Sequence, residues 1–232
     1  MLNQLSKTLQ IFNAGTEEGT RLLDSKIKNK TYFRGYLFRD VVLRLIPKGF
    51  SILDYGCGSG RIAWLIAKEG YTVLGMDPAE NLIKEAIRQD SDNLKLSFEV
   101  LKDEGETLPS DHFDAVVCSS AIEFIPDPVK VLHNFNRALK PGGRLIISFP
   151  NRRSLWRTYA KWRFGKKYDH FSVQWHVWSQ REFRHLLQQT GFKPGKARYF
   201  ESAFDGYTWL RWLNRFSWVG TLCCMDATSI EK

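Results

Sequence analysis

The stretch that decides the fold of this chain is Ser51-Ile52-Leu53-Asp54-Tyr55-Gly56-Cys57-Gly58-Ser59-Gly60-Arg61-Ile62-Ala63. It opens with a short, mostly apolar run, which is typical of a strand covered on both faces. Glycines then occupy three alternate positions, where the backbone must bend sharply and let a ligand approach closely. Apolar residues at helical spacing follow from Ile62. The stretch therefore predicts a strand, a glycine turn and a helix whose first amides face a ligand.

The spacing of these glycines indicates which ligand the turn holds. A dinucleotide fingerprint reads G-x-G-x-x-G, and its third glycine lets the helix pack closely on the strand. Here the pattern is G-x-G-x-G, and Arg61 stands where that third glycine would fall. Asp54 precedes the first glycine by two residues, where its charge would repel a pyrophosphate. An acidic residue at this place favours a ligand with a cationic or amino end.

The composition is that of one globular domain. The chain has 232 residues, of which 43% are hydrophobic and 25% charged, and these are ordinary values. Its four cysteines follow neither zinc spacing nor a disulfide framework, so we expect a reducing, cytoplasmic location. No apolar run approaches the length of a membrane span, and the N terminus lacks the apolar segment of a signal peptide.

The chain is basic overall. Its formal net charge is +9, from 34 Lys and Arg against 25 Asp and Glu. Such a charge favours nucleic acid, an anionic membrane surface or an acidic substrate as partner. A generally basic surface that promotes solubility explains the charge equally well.

Strands and helices alternate from residue 50 to residue 149. The strands are predicted at 51–54, 72–76, 94–101, 113–119 and 144–149, and the helices between them at 61–69, 79–89 and 128–139. This order predicts right-handed parallel crossovers and a doubly wound, Rossmann-like α/β fold. We expect seven mostly parallel strands with helices on both faces of the sheet.

A single domain accounts for the whole chain, in four parts. Residues 1–48 are predicted to form helices that cap the cofactor pocket or cover one sheet face. The cofactor-binding half is predicted at 49–150, a lid or insertion at 151–178, and the C-terminal part of the sheet at 179–232. Within that last part we expect a helix at 180–189 and a final strand at 219–225.

Four motifs occur in an order that resembles the class I S-adenosylmethionine-dependent methyltransferases. The resemblance is to the small-molecule branch that includes ubiquinone-biosynthesis O-methyltransferases. The motifs are Ile52-Leu53-Asp54-Tyr55-Gly56-Cys57-Gly58-Ser59-Gly60, Gly75-Met76-Asp77-Pro78, Phe113-Asp114-Ala115-Val116-Val117-Cys118 and Leu139-Lys140-Pro141-Gly142-Gly143-Arg144-Leu145. The resemblance implies the same fold, S-adenosyl-L-methionine as the cofactor, and no metal.

The resemblance also implies the cofactor site. The glycine loop would wrap the methionine portion of the cofactor, with Asp54 near its amino group and Asp77 on the ribose. Glu104 would reach the adenine, with Asp103 as a substitute, although the pair reads Glu104-Gly105 where many relatives have Asp-Ala. The implied cofactor residues are Asp54, Gly56, Cys57, Gly58, Gly60, Asp77, Glu104, Gly105, Ser119 and Ser120, the last two beside the transferring methyl.

Three side chains are candidates for a general base. Relatives often carry a histidine near position 123, whereas this chain has Glu123, which contacts substrate or is a solvated loop acid. His176 lies just before the predicted capping box Ser179–Glu182 of the helix at 180–189. His170 follows Asp169, which would orient it. The alternative for each histidine is a structural role in which it bonds to the backbone.

The segment from Arg152 to Lys167 is unusual for this fold. It holds seven basic residues, no acidic one, and four aromatic residues, and a second aromatic and basic stretch covers 207–218. Aromatic side chains surrounded by Arg and Lys suit an anionic bilayer surface, and they also suit stacking on nucleic acid bases. A lid whose basic stems cover an apolar pocket is the third reading.

Together these patterns predict a methyltransferase that acts on a small, hydrophobic or aromatic metabolite, at oxygen. An RNA methyltransferase is the first alternative, and the basic charge favours it. This chain, however, has Ser119-Ser120-Ala121-Ile122 in place of the Asn/Asp-Pro-Pro-Tyr/Phe string that is typical of enzymes that methylate base amino groups. The second alternative is a non-catalytic protein that binds the cofactor or associates peripherally with a membrane.

Overall fold

The computed structural model describes residues 28–89, 93–103, 107–164, 174–200, 213 and 216–230. The part of the predicted N-terminal helical region before residue 28 and most of the aromatic stretch at 207–218 lie outside the described residues.

Seven strands form one sheet in the order β3-β2-β1-β4-β5-β7-β6. Strands β1 to β5 are parallel to one another, whereas β7 runs antiparallel to both β5 and β6. This confirms the predicted seven-stranded, mostly parallel, Rossmann-like sheet. The strands are β1 (Ser51–Tyr55), β2 (Thr72–Asp77), β3 (Leu96–Val100), β4 (Phe113–Ser119), β5 (Leu139–Pro150), β6 (Phe192–Phe200) and β7 (Leu222–Ser229).

Six α-helices and one 3₁₀ turn, Ile122–Phe124, accompany the sheet in the described part of the chain. The helix predicted at 180–189 and its capping box are confirmed, since Ser179 Oγ accepts from the amide of Glu182 and the Glu182 carboxylate accepts from that of Ser179. The helices are α1 (Lys28–Leu45), α2 (Arg61–Ala67), α3 (Glu80–Gln89), α4 (Pro128–Ala138), α5 (Leu155–Phe164) and α6 (Gln180–Gln189).

Two element predictions need correction, and one strand is not predicted from the sequence. β5 begins at Leu139 rather than at 144, because Leu139 pairs with Phe113 ahead of a register shift. The final strand lies at Leu222–Ser229, and the prediction of 219–225 is displaced towards the N terminus. The sequence does not predict β6, because Pro194 and Gly195 interrupt its pattern, and the structure accommodates them at a register shift against β7.

Two apolar cores lie on opposite faces of the sheet. One contains side chains from α4 and α6, among them Leu132, Phe135 and Phe183. The other contains Phe38 and Val42 of α1 together with residues of α2. Helix α1 therefore covers a sheet face, as one of the two alternatives predicts.

The strand order places the functional site. The chain runs outward from β1 to β3 on one side and returns through β4 and β5 on the other, so the order reverses between β1 and β4. Ligands of doubly wound sheets bind at the carboxyl ends of the strands beside this reversal. The glycine turn after β1 and the 3₁₀ turn after β4 both lie at that edge.

Candidate active site

The glycine loop after β1 has a backbone that few other residues adopt. Gly56, Gly58 and Gly60 have φ angles of 71°, 56° and 77°, which L-residues with a side chain rarely take. A Cβ on Gly56 would lie 2.3 Å from the Cβ of Ala121, whereas one on Gly58 would meet nothing within 4 Å. The loop thus packs against the segment after β4 and stays open to a ligand at Gly58.

Asp77, the last residue of β2, holds the loop in shape. Its Oδ2 accepts from the amide of Gly58 at 2.9 Å and its Oδ1 from the amide of Ala79 at 2.9 Å. Burial raises the pKa of Asp77, and these two amides offset part of the rise. Each carboxylate oxygen keeps a further lone pair, so Asp77 can still accept a ribose hydroxyl.

Asp54 is a buried acid at the base of the loop. It is 1% exposed, and neither carboxylate oxygen has a hydrogen-bond partner among the described residues. Burial raises the pKa of Asp54 to about 7, the charge of Asp77 adds to the rise, and the nearby amide of Ala63 offsets part of it. A buried carboxylate without partners calls for a cation. The ammonium group of S-adenosylmethionine supplies one, so the loop fits this cofactor.

Cys57 takes part in the loop through its backbone. Its amide and that of Gly56 both donate to the carbonyl of Met76, at 3.1 and 2.7 Å. Burial raises the pKa of the Cys57 thiol well above its ordinary value, so the side chain is a neutral, half-buried group.

The end of β4 lies beside the loop and carries two serines. The Oγ of Ser119 is buried and has no hydrogen-bond partner among the described residues. Ser120 has a φ of 53°, a strained conformation for a non-glycine residue. Its amide donates to Oγ of the fully buried Ser148 on β5 at 3.0 Å. Nothing in the sequence singles out Ser148, whose role depends on the pairing of β4 with β5.

Glu123 in the 3₁₀ turn is buried, with 2% exposure, so the reading of a solvated loop acid is wrong. Its carbonyl accepts from the amides of Trp175 at 2.8 Å and His176 at 3.3 Å. These bonds hold the segment before α6 against the turn after β4. A carboxylic acid is thereby enclosed in the turn that follows β4, at the carboxyl edge of the sheet.

Arg157 of α5 reaches the same place. It donates through Nη2 to Oε1 of Gln174, the residue before Trp175. Burial lowers the pKa of Arg157, and the negative charge of Glu123 offsets part of that change. No sequence pattern distinguishes Arg157 from the other six basic residues of the segment 152–167, so the sequence does not reveal that it lies near Glu123.

His176 has one nitrogen engaged. Nε2 lies 3.2 Å from the carbonyl oxygen of Pro126, and since a carbonyl only accepts, Nε2 is the donor. The ring stacks on Trp178 at a centroid distance of 5.1 Å. In the neutral ring Nδ1 then carries the lone pair. The indole nitrogen of the neighbouring Trp175 is buried, with no acceptor among the described residues.

Three predicted site residues, Glu104, Gly105 and His170, lie outside the described residues. In the part of the chain that is described, no three His, Cys, Asp or Glu side chains lie close enough together to hold a metal ion. No helix there has the length and apolar character to cross a bilayer.

A family model for the methyltransferase domain matches residues 31–195. That range contains the glycine loop, β2, the end of β4 and the 3₁₀ turn. The chain belongs to the methyltransferase domain family. This membership confirms the resemblance and the enzyme class predicted from the four motifs.

Curated relatives of this methyltransferase domain include ubiquinone biosynthesis O-methyltransferases. The protein from Coxiella burnetii is 35% identical over 106 residues, which are 45% of this chain and 45% of the relative. The one from Dinoroseobacter shibae is 31% identical over 157 residues, 63% of this chain and 61% of the relative. The chain thus spans about half the length of the first of these relatives.

Solved structures of methyltransferases share the fold of this domain. Magnesium protoporphyrin IX methyltransferase from Synechocystis, with bound SAH, superposes with a TM-score of 0.73 at 18% identity, covering 97% of this chain and 99% of its own. A Haloferax volcanii methyltransferase in complex with the Trm112 activator has a TM-score of 0.68 at 18% identity, with coverage of 95% and 98%. These likenesses show the class I methyltransferase fold.

Proposed function

We propose that this protein transfers the methyl group of S-adenosylmethionine to a hydroxyl oxygen of a small, hydrophobic or aromatic acceptor. The observation that carries the proposal is the buried carboxylic acid of Glu123 at the end of β4. A hydroxyl is a poor nucleophile until a base takes its proton, whereas an unprotonated amine needs no base. A buried acid beside the methyl donor therefore favours oxygen.

Three residues of this chain have a geometry that supports their proposed contacts with the cofactor. Asp54 pairs with the ammonium group, Asp77 accepts from the ribose, and the open side of Gly58 receives the methionine portion. Contacts of Glu104 and Gly105 with the adenine stay a prediction from the family motif. When bound, S-adenosylmethionine supplies a methyl group on a sulfonium, a leaving group that is already positively charged.

The residues around Glu123 then have three tasks. Glu123 takes the proton as the acceptor O–H bond breaks, while the new O–CH₃ bond forms and the C–S bond breaks to leave a neutral thioether. Ser119 and Trp175 offer buried polar atoms that can orient the acceptor. Alignment of the reacting atoms can supply as much as ~7–11 kcal/mol of the barrier, and a dry site favours the dispersal of charge.

His176 is the second candidate for the base. Its Nδ1 keeps a lone pair while Nε2 bonds to Pro126. The ring also stacks on Trp178, which is what a structural histidine would do. We therefore rank Glu123 first, because its acid group is the more deeply enclosed of the two.

We further propose that a membrane surface is the partner of α5, with the protein peripheral on the cytoplasmic side. Leu155 and Trp162 of this helix are 66% and 79% exposed, so these side chains do not cover a pocket as a lid would. Arg157, on the other side of the helix, holds Gln174. A hydrophobic acceptor dissolved in a bilayer would meet the site through this helix.

Two measurements test the proposed activity. Isothermal titration with S-adenosylmethionine should show binding, and its absence would refute the cofactor assignment. Transfer of a radiolabelled methyl group should then occur to 4-alkylphenols and not to the matched 4-alkylanilines. Methylation of the anilines alone would establish a nitrogen acceptor, and methylation of total RNA alone would establish the RNA alternative.

A further inference from the structure

A second cavity lies apart from the cofactor site, where α6, β6 and the 216–220 segment meet. Its volume is about 420 Å³, a size that suits a small ligand group. Three of the seven residues that line it are arginines and none is acidic. We call it the arginine cleft; its lining is Arg153, Ser179, Gln180, Arg181, Arg184, Tyr199 and Ser217.

The positive charge of the arginine cleft is not neutralised by carboxylates of the described residues. Two acids on α6 and on the neighbouring strand β7 are already paired with other arginines, Glu182 with Arg152 at 2.6 Å and Asp226 with Arg198 at 3.0 Å. Among the described residues, the three cleft arginines form no salt bridge. A group of guanidinium ions without counter-charge favours an anion.

The cleft is also built before a ligand arrives. Arg184 donates to the carbonyls of Pro194 at 3.3 Å and Gly195 at 2.9 Å, which fixes its guanidinium against β6. The hydroxyl of Tyr199 donates to Oε1 of Gln180 at 2.6 Å. Burial raises the pKa of Tyr199 to about 12, so this hydroxyl stays neutral beside the arginines. Preorganised donors of this kind lower the entropic cost of binding.

An exposed apolar surface adjoins the cleft. Ser217 and Arg153 line the cleft; Trp218 follows Ser217, Leu155 lies two residues after Arg153, and both of these apolar side chains are exposed. The amide of Leu155 donates to the carbonyl of Trp218 at 3.0 Å, which joins the two segments. Along α5 the rings of Trp156, Tyr159 and Trp162 follow one another at centroid distances of 5.4 and 6.1 Å, and we call these three the aromatic ladder.

We propose that the arginine cleft binds the phosphate of an anionic lipid headgroup while the aromatic ladder lies in the bilayer interface. Guanidinium groups match phosphate oxygens in a bidentate fork, and Trp and Tyr side chains favour the level of the headgroups. Leu155, 66% exposed beside the ladder, has no ring face to stack on a base but suits acyl chains. A lipid thus explains the charge, the rings and the exposed Leu155, whereas RNA explains only the charge and the rings.

This inference rests on the membrane contact proposed above and not on methyl transfer, so it can be tested without an acceptor. The assay is flotation of the full chain with phosphatidylcholine vesicles, with and without phosphatidylglycerol. Wild-type protein should bind the anionic vesicles. The double variant R153Q/R181Q should bind them roughly tenfold or more weakly, since both side chains are exposed and Arg184 is left in place.

The matched control is K48Q/R88Q, which removes the same charge from exposed positions outside the cleft lining, Lys48 before β1 and Arg88 near the end of α3. It should bind as the wild type does, and glycerol 1-phosphate should compete with the vesicles for the wild type. If both double variants lose affinity equally, general electrostatics explains the binding and the cleft is refuted. Trp162→Ser should also weaken binding; if it alone does so, the membrane contact stands and the headgroup site falls.

Two further outcomes overturn the proposal. Binding of inorganic phosphate by calorimetry without any binding of vesicles would make the cleft a site for a free anion. Tighter binding of RNA than of anionic vesicles, lost in R153Q/R181Q, would make the surface a nucleic acid site. Each variant should unfold thermally at the same midpoint temperature as the wild type, which verifies that the losses of vesicle binding do not come from misfolding.

Discussion

The two sides of the active site are built in different ways. The cofactor side consists of one continuous stretch, the glycine loop after β1, and Asp77 at the end of the neighbouring strand. The proposed acceptor side joins three segments that are distant in the sequence, namely the 3₁₀ turn at Ile122–Phe124, helix α5 and residues 174–176. One side depends on local backbone conformation, and the other on contacts between segments.

This difference has an energetic consequence. Glycine φ angles and the two amide bonds to Asp77 hold the cofactor loop, so single substitutions there should affect binding of the cofactor. Burial and charge hold the acceptor side, where Glu123 and Arg157 influence each other from different elements. Substitutions there should change turnover and leave cofactor affinity intact. Each prediction below tests that separation.

The largest effect is expected for Glu123→Gln. The amide keeps the shape of the side chain but cannot take a proton, so turnover of an alkylphenol should fall by about 10²–10⁴-fold. Affinity for S-adenosylmethionine, measured by calorimetry, should not change. Glu80→Gln, at an exposed acid on α3, is the control. Full turnover in Glu123→Gln with a collapse in His176→Ala would transfer the role of the base to His176.

Gly56→Ala should act on the cofactor side alone. Its new Cβ would lie 2.3 Å from the Cβ of Ala121, and the loop must move to relieve this overlap. A displacement of about 1 Å at a binding site can cost roughly 10²-fold, so we expect a loss of cofactor affinity of about that size. Gly142→Ala has the same backbone strain, with a φ of 72°, but open space around the Cβ; its affinity should equal that of the wild type.

Asp54→Asn should weaken cofactor binding by about ten- to a hundredfold, the value of a charged hydrogen bond. It should also change how stability depends on pH. The pKa of Asp54 is about 7 in the fold against ~3.9 unfolded, so the folded state holds the extra proton between these values. The contribution of Asp54 to stability is then fully present below pH ~4 and is lost as the pH rises to 7, by on the order of 4 kcal/mol. Urea unfolding of the variant should lack this loss.

Asp114 provides the opposite control for that experiment. Burial alone would raise the pKa of Asp114, but its bonds to Lys140 and Ser51 outweigh burial and place the pKa below its ordinary value. Its contribution to stability is therefore present above the unfolded pKa and disappears as the pH falls. Asp114→Asn should cost stability at neutral pH, and equal pH trends in the two variants would contradict both assignments.

The smallest effect is expected for Arg157→Met. Removal of the charge opposite Glu123 should lower turnover by about tenfold, in the range of coupling between neighbouring charged groups. The acid limb of the rate profile should move to higher pH, because a buried carboxylate without its counter-charge takes up a proton more readily. Arg157→Lys should restore much of the rate. Strict additivity of Arg157→Met with Glu123→Gln would show that the two groups do not interact.

Much of the fold can be predicted from the sequence. Strand β4 lies at the predicted residues 113–119, and α6 begins at its predicted capping box, because hydrophobic periodicity and capping are local properties. The antiparallel end of the sheet is harder to predict from the sequence. Strand β6 contains Pro194 and Gly195, which break a strand pattern locally, and only pairing with β7 keeps them in the sheet.

The same limit applies within the site. The sequence by itself determined the cofactor side, because alternate glycines with positive φ, an acid before them and an acid at the end of the next strand are requirements of the local backbone. Only the tertiary structure decided the acceptor side. Glu123 is buried and faces the charge of Arg157 because residues 174–176 bind both the 3₁₀ turn and α5, and no local pattern encodes contacts between segments so far apart.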